Sequence, residues 1–422
     1  MRARGLTAIL TGIVGSAALI AGCASAPSAP PPGYERPPRA EVSPDFAGAA
    51  ELPPPDMSDT GPGSLIDVTP VTGVTLFDDG NATAVKVVFK STSGPDGAPS
   101  RVSGVVVVPP GQPPKGGWPI IAFGHALTGV GPACGPTLAQ DLWGYASAMM
   151  TLVRRGFVVA FPDFQGLGRE GGVHSVIDGA TLGRNMIDAA RAARRVLPEA
   201  SSQWAAYGVG EGGLAAWSAA ERAGTYGGGM DLVGAVAISP WVNMAPLVDA
   251  AERGKLSGQT QFRTYMSILQ SLANMDPEFD LDAHRSGVAR DRWAELTDCV
   301  SSDPESAKEA LETLSPNDLR PRDPAAAADL RRRLVAAGVP PSYPLPGSAP
   351  VLVAFGSLDA TSPPAGIERA LAAACAKGEQ IEVLKKAGAS GAADDQVIES
   401  AMGWLYARFA GQRLGNVCVG VE

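Results

Sequence analysis

The segment Tyr207-Gly208-Val209-Gly210-Glu211-Gly212-Gly213 has the frame of a nucleophile-bearing turn. A strand, a sharp glycine turn and a helix are how the pattern G-x-S-x-G exposes one reactive hydroxyl. Every flanking glycine of G-x-S-x-G-G is present here, but the serine position is Gly210. Covalent acyl chemistry needs that hydroxyl and a histidine to take its proton. Glycine offers neither a hydroxyl nor any other side-chain atom. A serine held on such a turn carries ~1–3 kcal/mol of backbone strain, which glycine relieves by accepting positive φ. The replacement therefore keeps the fold and removes the chemistry. For comparison, losing the nucleophile of a serine protease costs roughly a millionfold in turnover.

The other two members of such a site follow in the order acid, then histidine. Asp359, in Gly356-Ser357-Leu358-Asp359 after the apolar run 350–355, takes the acid position. The histidine position falls in Lys385-Lys386-Ala387-Gly388-Ala389-Ser390-Gly391-Ala392, where Ser390 occupies it. The chain has 3 histidines, His125, His174 and His284, and none follows Asp359. Each reads as a structural or solvent residue, not a relocated base. Ser218 and Ser239 are the nearest other serines of interest, and neither sits on a strand-to-helix elbow. Backbone N–H groups at Leu127 and Glu211 can still form an oxyanion hole. With no nucleophile they would polarise a carbonyl without attacking it. The scattered histidines lack metal-ligand spacing, and no phosphate-cradling loop runs into Lys-Ser/Thr. The expectation is no metal and no cofactor.

The elements that must position these residues alternate. Strand-like runs occupy 85–89, 102–108, 119–123, 156–161, 204–209, 232–238, 350–355 and 380–384, with a hairpin signal at 91–101. Helical patterns occupy 138–155, 187–196, 214–222 and 397–409. Strands alternating with helices imply a mostly parallel central sheet. Residues 241–345 break the alternation: they are helical in pattern and more charged, and include Leu281-Asp282-Ala283-His284 and the run Arg331-Arg332-Arg333. The expected division is a core of 64–240 and 346–422 with a helical cap, or lid, at 241–345.

Several segments, in order, resemble the bacterial and fungal secretory lipases. Gly124-His125-Ala126-Leu127-Thr128-Gly129 and Cys134-Gly135-Pro136-Thr137 are similar to that family's His-Gly-Thr-x-Gly and Cys-Ala-Pro-Ser. Gly156-Phe157-Val158-Val159, then Pro162-Asp163-Phe164-Gln165-Gly166-Leu167-Gly168, resembles its G-Y-x-V and D-Y-x-G-L-G block. Asp188-Ala189-Ala190-Arg191-Ala192-Ala193-Arg194 resembles its D-x-x-R-A-A-R helix. Trp404-Leu405-Tyr406-Ala407-Arg408-Phe409-Ala410-Gly411 and Cys418 resemble its closing helix and final cysteine. The resemblance spans residues 64–418 and implies an α/β-hydrolase fold and acyl-ester hydrolysis. Gly210 and Ser390 depart from it at the two proton-handling positions, and Ala126 stands where the family has glycine.

The N-terminus reads as an export signal. Arg2 and Arg4 precede an apolar run from Leu6 to Ile20, shorter than the roughly 20 residues of a spanning helix. Leu19-Ile20-Ala21-Gly22-Cys23 resembles a bacterial lipobox. That resemblance implies removal of residues 1–22, a lipid on Cys23, and attachment to the membrane surface without spanning it. Residues 23–63, rich in Pro, Ala and Ser, read as a tether. Cys134, Cys299, Cys375 and Cys418 remain, an even number that favours disulfides in an exported chain. Three pairings are possible, with Cys134–Cys299 and Cys375–Cys418 favoured. Hydrophobic residues at 45% suffice for a core, and a net charge of −9 without a basic cluster argues against nucleic acid as a partner.

Three functions compete on this evidence. A surface lipoprotein keeps the lipase pocket and binds acyl chains or another apolar ligand without hydrolysis. An active lipase or carboxylesterase uses a rearranged site on acyl esters. An envelope protein uses the scaffold as an interaction module.

Overall fold

Short apolar runs with valine, isoleucine and alanine prominent build the central layer. The computed structural model describes residues 51–94, 96–300, 303–337, 339–344, 347–388, 395–414 and 418. Cys23 and Ser390 lie outside the described residues. Nine strands are present among those described. They are β1 (Leu65–Pro70), β2 (Thr83–Thr92), β3 (Pro99–Val108), β4 (Ile120–Gly124), β5 (Val158–Pro162), β6 (Gln203–Val209), β7 (Asp231–Ile238), β8 (Val351–Gly356) and β9 (Ile381–Lys386). They form one sheet in the order β1-β2-β3-β5-β4-β6-β7-β8-β9. The β1–β2, β2–β3 and β3–β5 pairs are antiparallel, and every pair from β5–β4 to β8–β9 is parallel.

Helices cover both faces, so the parallel strands are apolar on both sides. Alternation along β4 sends Ile120 and Ala122 to one core and Ile121 and Phe123 to the other. The first core is closed by α3 (Gly179–Val196), α4 (Glu211–Tyr226) and α11 (Pro364–Ala376), the second by α2 (Tyr145–Val153) and α12 (Asp395–Phe409). Asp178 starts α3 by accepting hydrogen bonds from Ala180 N and Thr181 N, which satisfies donors that a helix start leaves open.

The helix expected over 138–155 is shorter than its pattern. Leu142, Trp143 and Gly144 have φ of 52°, 53° and 81°, outside helical space, and α2 begins only at Tyr145. Asp141 accepts from Trp143 N and stabilises this turn in place of a helical start.

Between β7 and β8 the described residues form α5 (Ala245–Glu252), α6 (Gly258–Met275), α7 (Gly287–Asp291), α8 (Trp293–Thr297), α9 (Pro304–Thr313) and α10 (Pro324–Ala336), with no strand. The arginine run is consumed internally. Arg331 pairs with Asp249 and Glu252, Arg332 with Asp329, and Arg333 with Asp276 and Asp329. Two disulfides, Cys134–Cys299 and Cys375–Cys418, tie the chain together. The first joins this inserted segment to the loop region after β4. Among the described residues no helix is long and apolar enough to cross a membrane.

Candidate functional site

Parallel sheets gather chemistry beyond the carboxyl ends of their strands. Here β6 leads into Gly210, β7 into Ser239, and Asp359 follows shortly after β8. Gly210 has φ +60° and ψ −114°, a conformation that strains any residue with a Cβ. It accepts from Trp241 N and Leu214 N and donates its own N–H to Ile238 O, so the turn is pinned from three sides. Gly212 is required for a second reason. A Cβ there would meet Gly124 O at 2.1 Å, so only glycine lets α4 pass this close to the end of β4. The geometry of a nucleophile turn is complete, and its side chain is absent. There is also room for one: a Cβ on Gly210 would meet Trp241 Nε1 at 3.4 Å and Ala126 Cβ at 3.9 Å, ordinary contacts.

Glu211, the first residue of α4, buries its side chain completely. Its Oε1 lies 2.7 Å from His174 Nε2. The other ring nitrogen, Nδ1, is 2.9 Å from Gln165 O. Burial alone pushes His174 down, but the facing carboxylate more than reverses this and holds its pKa above the usual histidine value. A charge pair of this kind is costly to break once buried. Nothing in residue spacing announced it, since Glu211 had been singled out only for its backbone N–H.

The other histidines are equally committed. His125 is buried, with its nitrogens 2.7 Å from Ala126 O and 3.0 Å from Asp163 O and its ring 4.7 Å from Phe164. His284 is buried in the inserted segment, stacked on Phe279 at 5.2 Å, and burial lowers its pKa to about 4. None of the three hydrogen-bonds Asp359.

Asp359 is buried, and its Oδ1 accepts from Thr361 N (3.0 Å), Thr361 Oγ1 (2.9 Å) and Ser362 N (2.9 Å). Its Oδ2 is buried without a partner among the described residues. Ser362 Oγ donates to Ser239 O, tying the acid's loop to the end of β7. Ser218, fully buried, lies on α4 against Gly183 and is no replacement nucleophile.

Leu127 is half-buried and Glu211 opens α4. The Tyr145 hydroxyl accepts from Ala126 N at 3.1 Å. Burial lifts the Tyr145 pKa to about 12, so the phenol stays protonated. Helix α6 bridges the region. Gln261 Nε2 donates to Ala360 O beside the acid, while Ser271 Oγ donates to His174 O and accepts from Val176 N. Two cavities of about 540 and 270 Å³ lie elsewhere, lined by Arg191, Arg194 and Tyr226 and by Trp118 and Leu197 respectively. Among the described residues no three His, Cys, Asp or Glu side chains converge as a metal site.

Residues 145–301 match the family model for secretory lipases. The matched stretch resembles the secretory lipases, and the fold is that of an α/β-hydrolase. Solved structures carry the same fold. Candida antarctica lipase A in its closed state superposes with a TM-score of 0.66 at 16% identity, covering 85% of this chain and 84% of that one. The ligand-bound rice cell wall degrading esterase LipA from Xanthomonas oryzae gives 0.61 at 18% identity, covering 83% and 96%. No match was found among curated protein sequences. Within this secretory-lipase scaffold, Gly210 and Asp359 stand on the turns after β6 and β8.

Proposed function

We propose that this secretory-lipase-family protein is an exported lipoprotein that has lost acyl-ester hydrolysis and holds an acyl chain or another apolar molecule in the lipase scaffold. The reading rests on one observation above all: the turn at Gly210 keeps a nucleophile's backbone without a nucleophile's side chain. The engagement of His125, His174 and His284 elsewhere supports it, because a serine without a base is a weak nucleophile. Export and anchoring rest on the Arg2–Ile20 signal pattern and Cys23. Retention of a scaffold built around acyl esters is the argument for an acyl ligand.

Purified protein is expected to resist labelling by a fluorophosphonate serine probe and to leave p-nitrophenyl esters of short and long chain intact. Gly210→Ser together with Ser390→His is expected to restore trace esterase activity. Turnover by the unaltered protein, abolished by a single serine substitution, would establish an active enzyme instead.

A further inference from the structure

A cleft of about 540 Å³ opens at the other end of the strands from Gly210, between the close of α3 and the start of β7. Its lining holds three arginines, Arg191, Arg194 and Arg195, against one carboxylate, Asp56. Positions i, i+3 and i+4 bring all three onto one face of α3. Grouped like charges repel on a helix, and two of the three are answered from within the chain. Arg191 pairs with Asp188 at 2.8 Å and Arg195 with Asp56 at 2.9 Å. Arg194, which is half-buried, has no ion-pair partner among the described residues. Its Nε donates to Ala200 O at 3.3 Å, and its two terminal nitrogens have no acceptor among those residues. The last turn of a helix favours a cation, which accounts for an arginine here. It does not account for a guanidinium fork left without an acceptor beside a cleft.

The other walls are held in place by the same arginines. Arg191 donates to Gly228 O at 3.2 Å, and Arg195 donates to Asp56 and Thr60. Gly228 and Gly229 line the cleft, and neither N–H has a partner among the described residues. In a chain of net charge −9 the cleft is a place of opposite sign. Arginine grips a phosphate through two parallel N–H bonds, and such charge-assisted bonds are roughly twice as strong as neutral ones. A phosphate held so has further oxygens for glycine N–H groups. The cleft is also roomier than a bare phosphate ion requires, and Met230 adds apolar surface beside the arginines.

We propose that this cleft binds a phosphate ester, with the phosphate on the Arg194 fork and the organic part in the remaining space. The site is separate from the acyl reading above, because the cleft and Gly210 lie at opposite ends of the strands.

Calorimetric titration of the full-length protein with glycerol 3-phosphate tests this, with glycerol as the uncharged control. The ester should bind at a single site and glycerol should not bind. Arg194→Gln removes the fork and should weaken binding at least about tenfold, the loss expected of hydrogen bonds to a charged group. Arg194→Lys keeps the charge without the fork and should fall between the two. Monomeric dihexanoylphosphatidylglycerol separates the sources of the ester. Tighter binding than glycerol 3-phosphate assigns the site to a lipid head group, and weaker binding assigns it to a soluble ester. Binding of neither phosphate compound, glycerol binding as tight as that of the ester, or equal affinity in Arg194→Gln overturns the phosphate site. Should Arg194→Gln fail to fold, competition in the unaltered protein decides: inorganic phosphate should displace glycerol 3-phosphate, and failure to do so overturns the site.

Discussion

The turns after β6 and β8 are held in opposite ways. At Gly210 the backbone takes a conformation that strains any residue with a Cβ, and there is no side chain. At Asp359 the side chain remains, but three of its visible bonds are local, to Thr361 and Ser362, as in any aspartate that closes a turn. Backbone form and side-chain chemistry thus separate. The nucleophile turn keeps its shape because the sheet, α4 and the Glu211–His174 pair require it. The acid keeps its identity because the loop requires an acceptor there.

If that contrast is right, the largest effect comes from attacking the support of the first turn. Glu211→Ala removes the buried carboxylate that faces His174 and should cost about 3–5 kcal/mol, read as a lower urea midpoint. A loss near zero would mean that the pair holds nothing in place. The second turn should respond to hydrogen bonding rather than charge. Asp359→Ala removes the acceptor of three donors and should cost about 1–3 kcal/mol, while Asp359→Asn retains one acceptor oxygen and should cost less than half as much. Equal losses in the two variants would point to the charge itself. The smallest effect separates the core from the inserted segment by pH. His284 has a folded pKa of about 4 against an ordinary 6.5, so the unfolded chain binds more protons between these values. Its contribution to stability is lost as pH falls through that window, and His284→Gln should flatten the acid limb. His174, shifted the other way, contributes fully below its ordinary value and loses that contribution as pH rises through its folded pKa. Its replacement should change only the alkaline side.

Much of the fold was legible in the sequence because buried parallel strands are continuous apolar runs, as in 120–124 and 204–209. Strand β1 escaped notice: Leu65–Pro70 is a half-buried edge with little alternation. The premature helix at 138 reflects local side-chain bonding that outweighs helical pattern, as Asp141 does with Trp143. At the site, Gly210 and Asp359 were visible because motif spacing carries them. The partners were not. His174 and Glu211 meet only because a loop after β5 folds beneath the start of α4, and Trp241 faces Gly210 only because β7 lies beside β6. Contacts of that kind belong to tertiary structure and leave no periodic mark.

Helix α6 grips the Asp359 loop through Gln261 and the His174 loop through Ser271. These two contacts lie ten positions apart on one rigid rod, a span of about 15 Å. In mechanical terms α6 is a strut. A shift of either loop loads the other along the helix axis, so neither turn has been free to drift alone. The two loops are thereby kept in register, as two piers are by the deck that joins them.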